Sequence, residues 1–375
     1  MAGLYIHVPF CRRKCPYCNF YSVVSQSLRI DFITTLLEEA SHYAPEWTLH
    51  EFETLYLGGG TPSLLSMDEL SSLLQGIRNF FSFNAQSEVT LEINPDDIDK
   101  ENLILWKSLG INRLSIGLQS LDEGALQFLE RLHDATEALQ KLWLARNMGF
   151  TNISVDLIYG IPGLSRQAWL QTLDTVLQFR PEHISAYALT LEENTIYNIR
   201  VNRNQAAPPP DSLAIAHFHL LRHKASLYGY RFYEVSNLCL PQYPSRHNSS
   251  YWRGIPYLGL GPSAHSYDGQ KRWWNPASIS EWKKKVGDGV SPGFEILTPA
   301  MRFNEYLLTR LRTRKGIRFE ELIQSFGKQA YDHIITIAKG LPQGLLIHTS
   351  QGIRIPVRNF LLSDGIIRRF IIEES

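Results

Sequence analysis

The first half of the chain alternates short apolar runs of strand length with longer segments of helical period. Leu28–Tyr43 illustrates the second kind, because its apolar residues recur every three or four positions. The apolar runs are Leu4–Val8, Thr54–Leu57, Glu88–Ile93, Arg113–Gly117, Ile153–Ile158 and His183–Leu189. Near-continuous apolar strands are typical of a parallel sheet covered by helices. The pattern therefore predicts an α/β fold, a partial (βα)6 barrel rather than a full eight-stranded one, since the alternation fades after Leu191.

The pattern changes in the second half and predicts two further units. An aperiodic stretch with three consecutive prolines, Asn202–Pro210, follows the barrel. From Thr298 onward, three short helices, two short strands and a last helix resemble a small winged-helix module. The expected division is a barrel over 1–200, an α+β extension over 201–295 and the C-terminal module over 296–375.

The C-terminal module carries a group of basic side chains, but charge argues against a nucleic-acid partner. The group is Arg302, Arg310, Arg312, Arg314 and Lys315. The chain as a whole has 37 basic and 37 acidic residues, so it has no general attraction for a polyanion. We interpret the basic group as the solvated face of a docking domain. Near its end, Asn359 is expected to take a left-handed conformation in a turn.

Composition places the chain among ordinary globular proteins. Of its 375 residues, 44% are hydrophobic and 20% are charged, which excludes a disordered or fibrous protein. No apolar run approaches the roughly 20 residues of a transmembrane helix, and the N-terminus has no signal-peptide pattern. We expect a cytoplasmic protein without a transmembrane segment. The sequence leaves open whether it forms a homodimer or makes peripheral contact with a membrane.

Cysteine usage gives the first chemical indication. Cys11, Cys15 and Cys18 lie within eight residues, whereas the fourth cysteine, Cys239, is far away. A disulfide framework would need more cysteines at wider spacing. Three thiols in one tight loop indicate a metal centre instead, and an iron–sulfur cluster is favoured because zinc sites prefer paired Cys-x-x-Cys spacing. A zinc site completed by His7 and a redox pair are the alternatives.

Glycines and polar residues follow the ends of several predicted strands. Gly58–Pro62 ends the second strand, and we expect its exposed backbone N–H groups to bind a carboxylate or phosphate. Glu92 ends the third strand, where its carboxylate would accept from a ligand amine or ribose hydroxyl. Gln119, Arg131 and Asp156 follow the next strand ends. Because the carboxyl ends of parallel strands share one edge, these residues outline a rim around a polar cofactor.

In their order along the chain, these motifs resemble the radical S-adenosylmethionine superfamily, and within it the anaerobic coproporphyrinogen III oxidase-like family. The motifs are YIHVPFCRRKCPYC, LGGGTPS, LEINP, GLQS and DLIYGIPG. The resemblance implies that Cys11, Cys15 and Cys18 ligate a [4Fe–4S] cluster and that S-adenosylmethionine chelates the fourth iron. It further implies cofactor contacts for Tyr5, Tyr17, Gly59, Gly60, Thr61, Glu92, Gln119, Arg131 and Asp156.

This family contains both oxygen-independent coproporphyrinogen III dehydrogenases and haem chaperones, and the chain resembles the chaperones more. The dehydrogenases carry another cysteine two positions after the last cluster ligand, where this chain has Phe20. They also carry a long extension before the first strand, whereas this chain begins almost at that strand. The stretch Arg246–Gly254 matches the chaperone motif HNxxYW, which implies haem binding by His247, Tyr251 and Trp252.

The motif also has a physical rationale. Imidazole is a good axial ligand for haem iron, and neighbouring aromatic rings can stack on a porphyrin. If the stretch is helical, His247 and Tyr251 lie one turn apart on the same face. From the residues alone, a buried structural histidine is the competing interpretation. His265, His7 and Cys239 are alternative iron ligands.

The resemblance implies one of two functions. The first is a haem chaperone that binds haem and passes it to acceptor haemoproteins of the respiratory chain, with the cluster and S-adenosylmethionine as cofactors. The alternative is an enzyme in which a radical derived from S-adenosylmethionine starts the oxidative decarboxylation of a porphyrinogen propionate. In the chaperone, the cluster and S-adenosylmethionine would tune conformation, dimerisation or transfer. In the enzyme, the cofactor supplies the radical chemistry and the protein positions it.

Overall fold

The computed structural model describes residues 2–289 and 293–373. Its first half contains the six predicted strand–helix repeats. The strands are β1 (Ala2–Val8), β2 (Glu51–Gly59), β3 (Ser82–Ile93), β4 (Arg113–Gln119), β5 (Ile153–Tyr159) and β6 (His183–Ala188). The helices between them are α1 (Phe32–Trp47), α2 (Met67–Phe80), α3 (Lys100–Ser108), α4 (Glu123–Phe128), α5 (Ala135–Asn147) and α6 (Arg166–Phe179).

Strands β1 to β6 lie side by side in chain order and all run parallel, which confirms the predicted architecture. Alternate side chains point to opposite faces of each strand. In β1, Leu4, Ile6 and Val8 are fully buried in the main hydrophobic core, and Tyr5 and His7 face the interior cavities described below. Side chains from all six strands line these cavities, so the sheet curves into a partial barrel.

The extension joins the same sheet at both edges, which the sequence pattern did not predict. Its elements are α7 (Ile196–Asn202), α8 (Asp211–Leu227), β7 (Arg231–Phe232), β8 (Asn237–Cys239), α9 (Arg246–Trp252), β9 (Tyr257–Leu260), β10 (His265–Tyr267), β11 (Lys271–Trp274), α10 (Ile279–Gly287) and β12 (Gly293–Ile296). Strand β9 pairs in parallel with β1, and β8 pairs antiparallel with β6. The sheet order among the described residues is β12-β11-β10-β9-β1-β2-β3-β4-β5-β6-β8-β7.

A buried carboxylate fastens the extension to the barrel. Glu39 of α1 accepts hydrogen bonds from the backbone N–H of Gly261 (2.8 Å), from Asn275 and from the indole of Trp282 (3.0 Å). Burial raises the pKa of Glu39 to about 7. All three donors belong to the extension, so one side chain of the barrel holds several of its elements.

The C-terminal module contains α11 (Pro299–Leu311), β13 (Ile317–Arg318), α12 (Phe319–Gly340), β14 (Ile347–Thr349), β15 (Gly352–Arg354) and α13 (Ser363–Ile367). A non-helical Gly327 (φ 78°) divides α12, and β13, β15 and β14 form a small separate sheet. The left-handed turn predicted at Asn359 is wrong. Asn359 lies in a 3₁₀ helix, Val357–Leu362, and its side-chain amide donates to the carbonyl of Gly344 (2.8 Å).

No helix among the described residues has the length and apolar character needed to cross a membrane.

Candidate functional site

The cysteine loop leaves the end of β1 and is closed at its base by backbone hydrogen bonds. The N–H of Cys11 donates to the carbonyl of Val23 (3.0 Å), and the N–H of Val23 donates to that of Pro9 (2.8 Å). Within the loop, the N–H of Cys18 donates to the carbonyl of Cys15 (3.2 Å). The three cysteines all line one cavity of about 440 Å³, which we name the cysteine cavity.

Two of the three thiols receive polar contacts from residues that share a hydrogen-bond partner, because the amide of Asn94 bonds to both Thr61 and Arg131. The hydroxyl of Thr61 donates to Sγ of Cys11 (3.6 Å), and Nη1 of Arg131 donates to Sγ of Cys15 (3.7 Å). Burial raises the pKa of the Cys11 thiol and raises that of Cys18 to about 11. A metal centre must therefore displace protons from these thiols at neutral pH.

The three cysteines fit an iron–sulfur cluster better than a single metal ion. Among the described residues, no three His, Cys, Asp or Glu side chains converge closely enough to hold a single metal ion. An iron–sulfur cluster has a different requirement, because each thiolate binds a different iron and the thiols need not converge on one point. Three cysteines on one wall of a cavity, with a guanidinium beside Cys15, fit such a cluster.

The glycine run at the end of β2 has a different role from the one expected. Its N–H groups are not exposed: that of Gly59 donates to Glu92 (3.1 Å), that of Gly60 to the carbonyl of Val8 (2.8 Å) and that of Thr61 to the carbonyl of Phe10 (2.8 Å). The glycines instead allow close approach of the cysteine loop. A Cβ on Gly60 would lie 2.8 Å from the carbonyl oxygens of Val8 and Phe10, and Gly59 has a φ of +104°.

Glu92 ends β3 between two cavities. Its Oε1 accepts from the hydroxyl of Tyr56 (2.6 Å), and its Oε2 accepts from the N–H of Gly59 (3.1 Å). Burial, opposed by the bond to Tyr56, raises the pKa of Glu92 to about 7. The carboxyl group therefore keeps its proton to a higher pH than an exposed glutamate does, and each oxygen has further capacity to accept hydrogen bonds.

The remaining strand-end residues lie in or after β4 and β5, the next strands of the sheet, and line the same cavity. Arg131 donates through Nη2 to Asn94 (2.6 Å) and to the carbonyl of Gly117 (2.8 Å), and its Nε has no partner among the described residues. Asp156 accepts from Ser115 (3.2 Å), and burial raises its pKa. Gln119 has a φ of 65°, which a non-glycine residue rarely adopts.

The structure thus brings almost all of the predicted cofactor residues around one cavity. The cysteine cavity is lined by Cys11, Cys15, Cys18, Tyr17, Gly59, Gly60, Thr61, Glu92, Gln119, Arg131 and Asp156. Tyr5 is the exception, because it faces a second cavity and its hydroxyl lies 3.1 Å from Nδ1 of His7.

The second cavity adjoins the first inside the barrel. It measures about 580 Å³, and we name it the histidine cavity. Its lining includes His7, His183, His247 and His265, together with Tyr5, Tyr251 and Tyr257. Residues that line both cavities are Asn19, Phe20, Tyr56, Gly59, Glu92, Ser115, Ser185 and Tyr187. The two cavities are therefore separated by a shared wall rather than by a packed core.

His247 reaches the histidine cavity from α9, as the helical interpretation predicted. The helix packs where β1 and β2 begin, and Glu88 of β3 accepts its first N–H groups, including that of His247 (3.0 Å). The imidazole is 2% exposed, with Nδ1 2.7 Å from the hydroxyl of Thr54 and Nε2 2.9 Å from that of Tyr251. It also stacks on Tyr56, with ring centroids 5.0 Å apart.

Electrostatically, His247 is a neutral imidazole. Burial, assisted by the positive charge of Arg113, lowers the pKa of His247 to about 3. In this conformation both ring nitrogens are occupied, which is the arrangement of a buried structural histidine. A metal at Nε2 would have to displace the hydroxyl of Tyr251.

The other predicted haem residues lie in different environments. Trp252 and Cys239 line neither of the two cavities, and the indole N–H of Trp252 is buried without a partner among the described residues. His7 has both nitrogens engaged, since its Nε2 lies 2.9 Å from the carbonyl oxygen of Tyr21. His265 is exposed and stacks on Trp274, and none of the described residues forms a hydrogen bond with its ring.

Several cavity-lining residues were not singled out from the sequence. Tyr56, Arg113, Ser115, His183 and Tyr187 all point into the barrel interior. The alternation of side chains along a strand could have identified them, because each lies two or four positions from another interior-facing residue of the same strand. Reading every second position of the apolar runs would have found them.

Comparisons with known proteins give a consistent result. The sequence profile of the Radical SAM superfamily matches residues 5–176. The "Heme chaperone HemW" of Mycobacterium tuberculosis is 33% identical over 378 residues, covering 98% of this chain and 94% of that protein. The mouse "Radical S-adenosyl methionine domain-containing protein 1, mitochondrial" is 38% identical over 383 residues, covering 98% of this chain and 86% of that protein.

The solved structure of coproporphyrinogen III oxidase HemN from Escherichia coli superposes with a TM-score of 0.85, covering 99% of this chain and 90% of that one. Its 23% sequence identity supports the shared fold and nothing finer. The match to the M. tuberculosis relative extends over nearly the whole of both chains and includes the motif-bearing barrel. The chain belongs to the HemW family of the radical SAM superfamily.

Proposed function

We propose that this protein is a haem chaperone: it binds haem in the histidine cavity and passes it to acceptor haemoproteins, including those of the respiratory chain. The observation that carries the proposal is the position of α9. This helix presents a neutral imidazole, His247, and a phenol, Tyr251, to a cavity that adjoins the three cysteines. The cavity volume, about 580 Å³, lies within the roughly 300–1,000 Å³ range of ligand pockets.

His247 is the proposed iron ligand. The neutral imidazole is the form that binds metal, and the low pKa of His247 keeps it neutral at physiological pH. Binding at Nε2 exchanges the hydrogen bond with Tyr251 for a bond to iron. His265, exposed on the same cavity, is the candidate for a second or alternative ligand.

The hydroxyl of Tyr251 gives a physical reason for reversible binding. When iron leaves, Nε2 of His247 can return to this hydroxyl, so the empty state does not contain an unsatisfied buried nitrogen. An internal partner that competes with the iron lowers the affinity for haem. Reversible binding of this kind suits a protein that hands its ligand to an acceptor better than one that retains it.

The cysteine cavity is proposed to hold the resident cofactors. Cys11, Cys15 and Cys18 would ligate a [4Fe–4S] cluster, and the residues that would contact S-adenosylmethionine are Tyr17, Gly59, Gly60, Thr61, Glu92, Gln119, Arg131 and Asp156. When bound, such a cluster supplies one-electron chemistry. Arg131 would balance thiolate charge beside Cys15, and the oxygens of Glu92 would accept hydrogen bonds from the cofactor.

The proposal is tested by titrating haem into the anaerobically reconstituted protein and following the Soret absorbance. We expect saturation near one haem per chain, with binding lost or strongly weakened in His247→Ala. The comparison variant is His265→Ala, which removes the candidate second ligand from the same cavity and should weaken binding less than His247→Ala. Loss of binding in that variant instead would move the ligand to His265, and no saturable binding by the wild-type chain would reject the chaperone function.

A further inference from the structure

Arg113 is a charged side chain enclosed in the barrel. It opens β4 and faces the histidine cavity, with an exposed fraction of 2%. Its Nε is buried without a hydrogen-bond partner among residues 2–289 and 293–373, and within those ranges the guanidinium forms no ion pair or side-chain hydrogen bond. This is unusual, because buried arginines are normally paired.

The charge of Arg113 acts on two neighbouring carboxyl groups, since it lowers the pKa of Asp156 and of Glu92 against the larger effect of burial. Neither of them forms an ion pair or hydrogen bond with its guanidinium. Glu92 accepts from Tyr56 and Gly59, and Asp156 accepts from serine hydroxyls. The guanidinium cannot escape the cost by losing its proton, since arginine stays charged in proteins. An unpaired charge that faces an open cavity is stabilised by a ligand that brings a negative group.

The position of Arg113 selects the cavity that this ligand occupies. Arg113 lines the histidine cavity and not the cysteine cavity, where Arg131 already supplies a guanidinium. Its charge also acts on His183 and His247, whose pKa values it helps to lower after the larger effect of burial. A ligand bound at His247 would therefore lie within the field of Arg113.

We propose that Arg113 binds a propionate carboxylate of the porphyrin in the histidine cavity. This inference rests on the proposed function, and it names the group of the cargo that the cavity recognises besides the iron. The planar guanidinium forms two parallel hydrogen bonds with a carboxylate, which gives direction as well as affinity. Arg113 would thereby orient the macrocycle, and His247 would ligate its iron.

The test compares haem with its dimethyl ester, in which both propionates are uncharged, in the wild-type chain and in Arg113→Gln. We expect Arg113→Gln to weaken binding of haem about ten- to hundredfold and to change binding of the ester by less than about threefold. The control is His247→Ala, which removes an iron ligand and should weaken both ligands by a similar factor. Equal losses for haem and ester in Arg113→Gln, or no loss for either, would overturn the inference.

A second readout separates binding from a structural role. An unpaired buried charge does not stabilise the fold, so the apparent melting temperature of ligand-free Arg113→Gln should equal or exceed that of the wild type. A fall of several degrees would assign Arg113 to the architecture and reject the inference. If the wild-type chain binds no haem, both proposals fail; if it binds haem and its ester equally well, only the propionate contact fails.

Discussion

The two cavities of the barrel use their polar groups differently. In the cysteine cavity, Nε of Arg131 has no hydrogen-bond partner among the described residues. On the wall that the two cavities share, Glu92 can accept further hydrogen bonds. In the histidine cavity, His7, His183 and His247 each have both ring nitrogens engaged.

The difference indicates how each cavity would meet its ligand. A preorganised wall with spare donors and acceptors suits a resident cofactor, because little has to rearrange when it binds. Imidazoles that are already paired suit a cargo that must leave again, because the empty state is stable without it. Two residues of the histidine cavity depart from this pattern, the exposed His265 and the buried Arg113. Arg113 is the more informative, because its charge is buried.

The largest effect is expected when the cluster is removed from the cysteine cavity and haem binding in the histidine cavity is measured. We expect Cys15→Ser to reduce reconstituted iron from about four atoms per chain to fewer than about one, with loss of the cluster's broad visible absorbance. Cys239→Ser is the control, because this buried cysteine lines neither cavity. Haem titration of both variants then tests independence: if Cys15→Ser also abolishes haem binding, the two cavities are one coupled site.

A smaller effect is expected from Tyr251→Phe. The substitution removes the hydroxyl that competes with iron for Nε2 of His247 and keeps the ring packed against Tyr257. Since a hydrogen bond contributes about 0.5–1.5 kcal/mol net, haem affinity should rise about two- to tenfold. The measurement is the rate of haem release to an apo-haemoprotein that captures it, which should become slower. Faster release would show that the hydroxyl supports binding instead of opposing it.

The parts of this molecule that sequence predicted are those carried by local pattern. The six parallel strands follow from apolar runs alternating with helical segments, and the cysteines follow from their spacing. The helical pairing of His247 with Tyr251 is also local, since four residues separate them. Each of these features depends only on residues that are close together in the sequence.

The parts that escaped prediction depend on contacts between distant segments. The bond between His247 and Thr54 joins residues 193 positions apart, so nothing local shows that α9 packs where the strands begin. Two N–H groups of the glycine run donate to carbonyl groups at the start of the cysteine loop. The spacing of glycines and cysteines along the sequence does not show that these two segments meet. The turn predicted at Asn359 was wrong for a related reason. The side-chain amide of Asn359 donates to the carbonyl of Gly344, which is distant in sequence, and the residue forms no left-handed turn.

The smallest predicted effect concerns Glu92, which belongs to both cavities. Its pKa is raised from 4.5 to about 7, so between these pH values the folded chain holds a proton that the unfolded chain releases. The stability linked to this proton is full below about pH 4.5 and is lost as the pH rises through 7. Gln resembles the protonated acid at every pH. The melting temperature of Glu92→Gln, relative to that of the wild type, should therefore rise as the pH increases from 5 to 8.

The relative stabilisation of Glu92→Gln over this pH range has an upper limit of about 3 kcal/mol, or a few degrees in melting temperature, because water in the cavities weakens the effect of burial. The exposed Glu320→Gln serves as the control for replacing a carboxyl group by an amide outside the two cavities. If the difference for Glu92→Gln is independent of pH, the Glu92 carboxyl is ionised throughout this range. The shared wall would then carry a full negative charge, and Arg113 would have a long-range counter-charge in the empty protein.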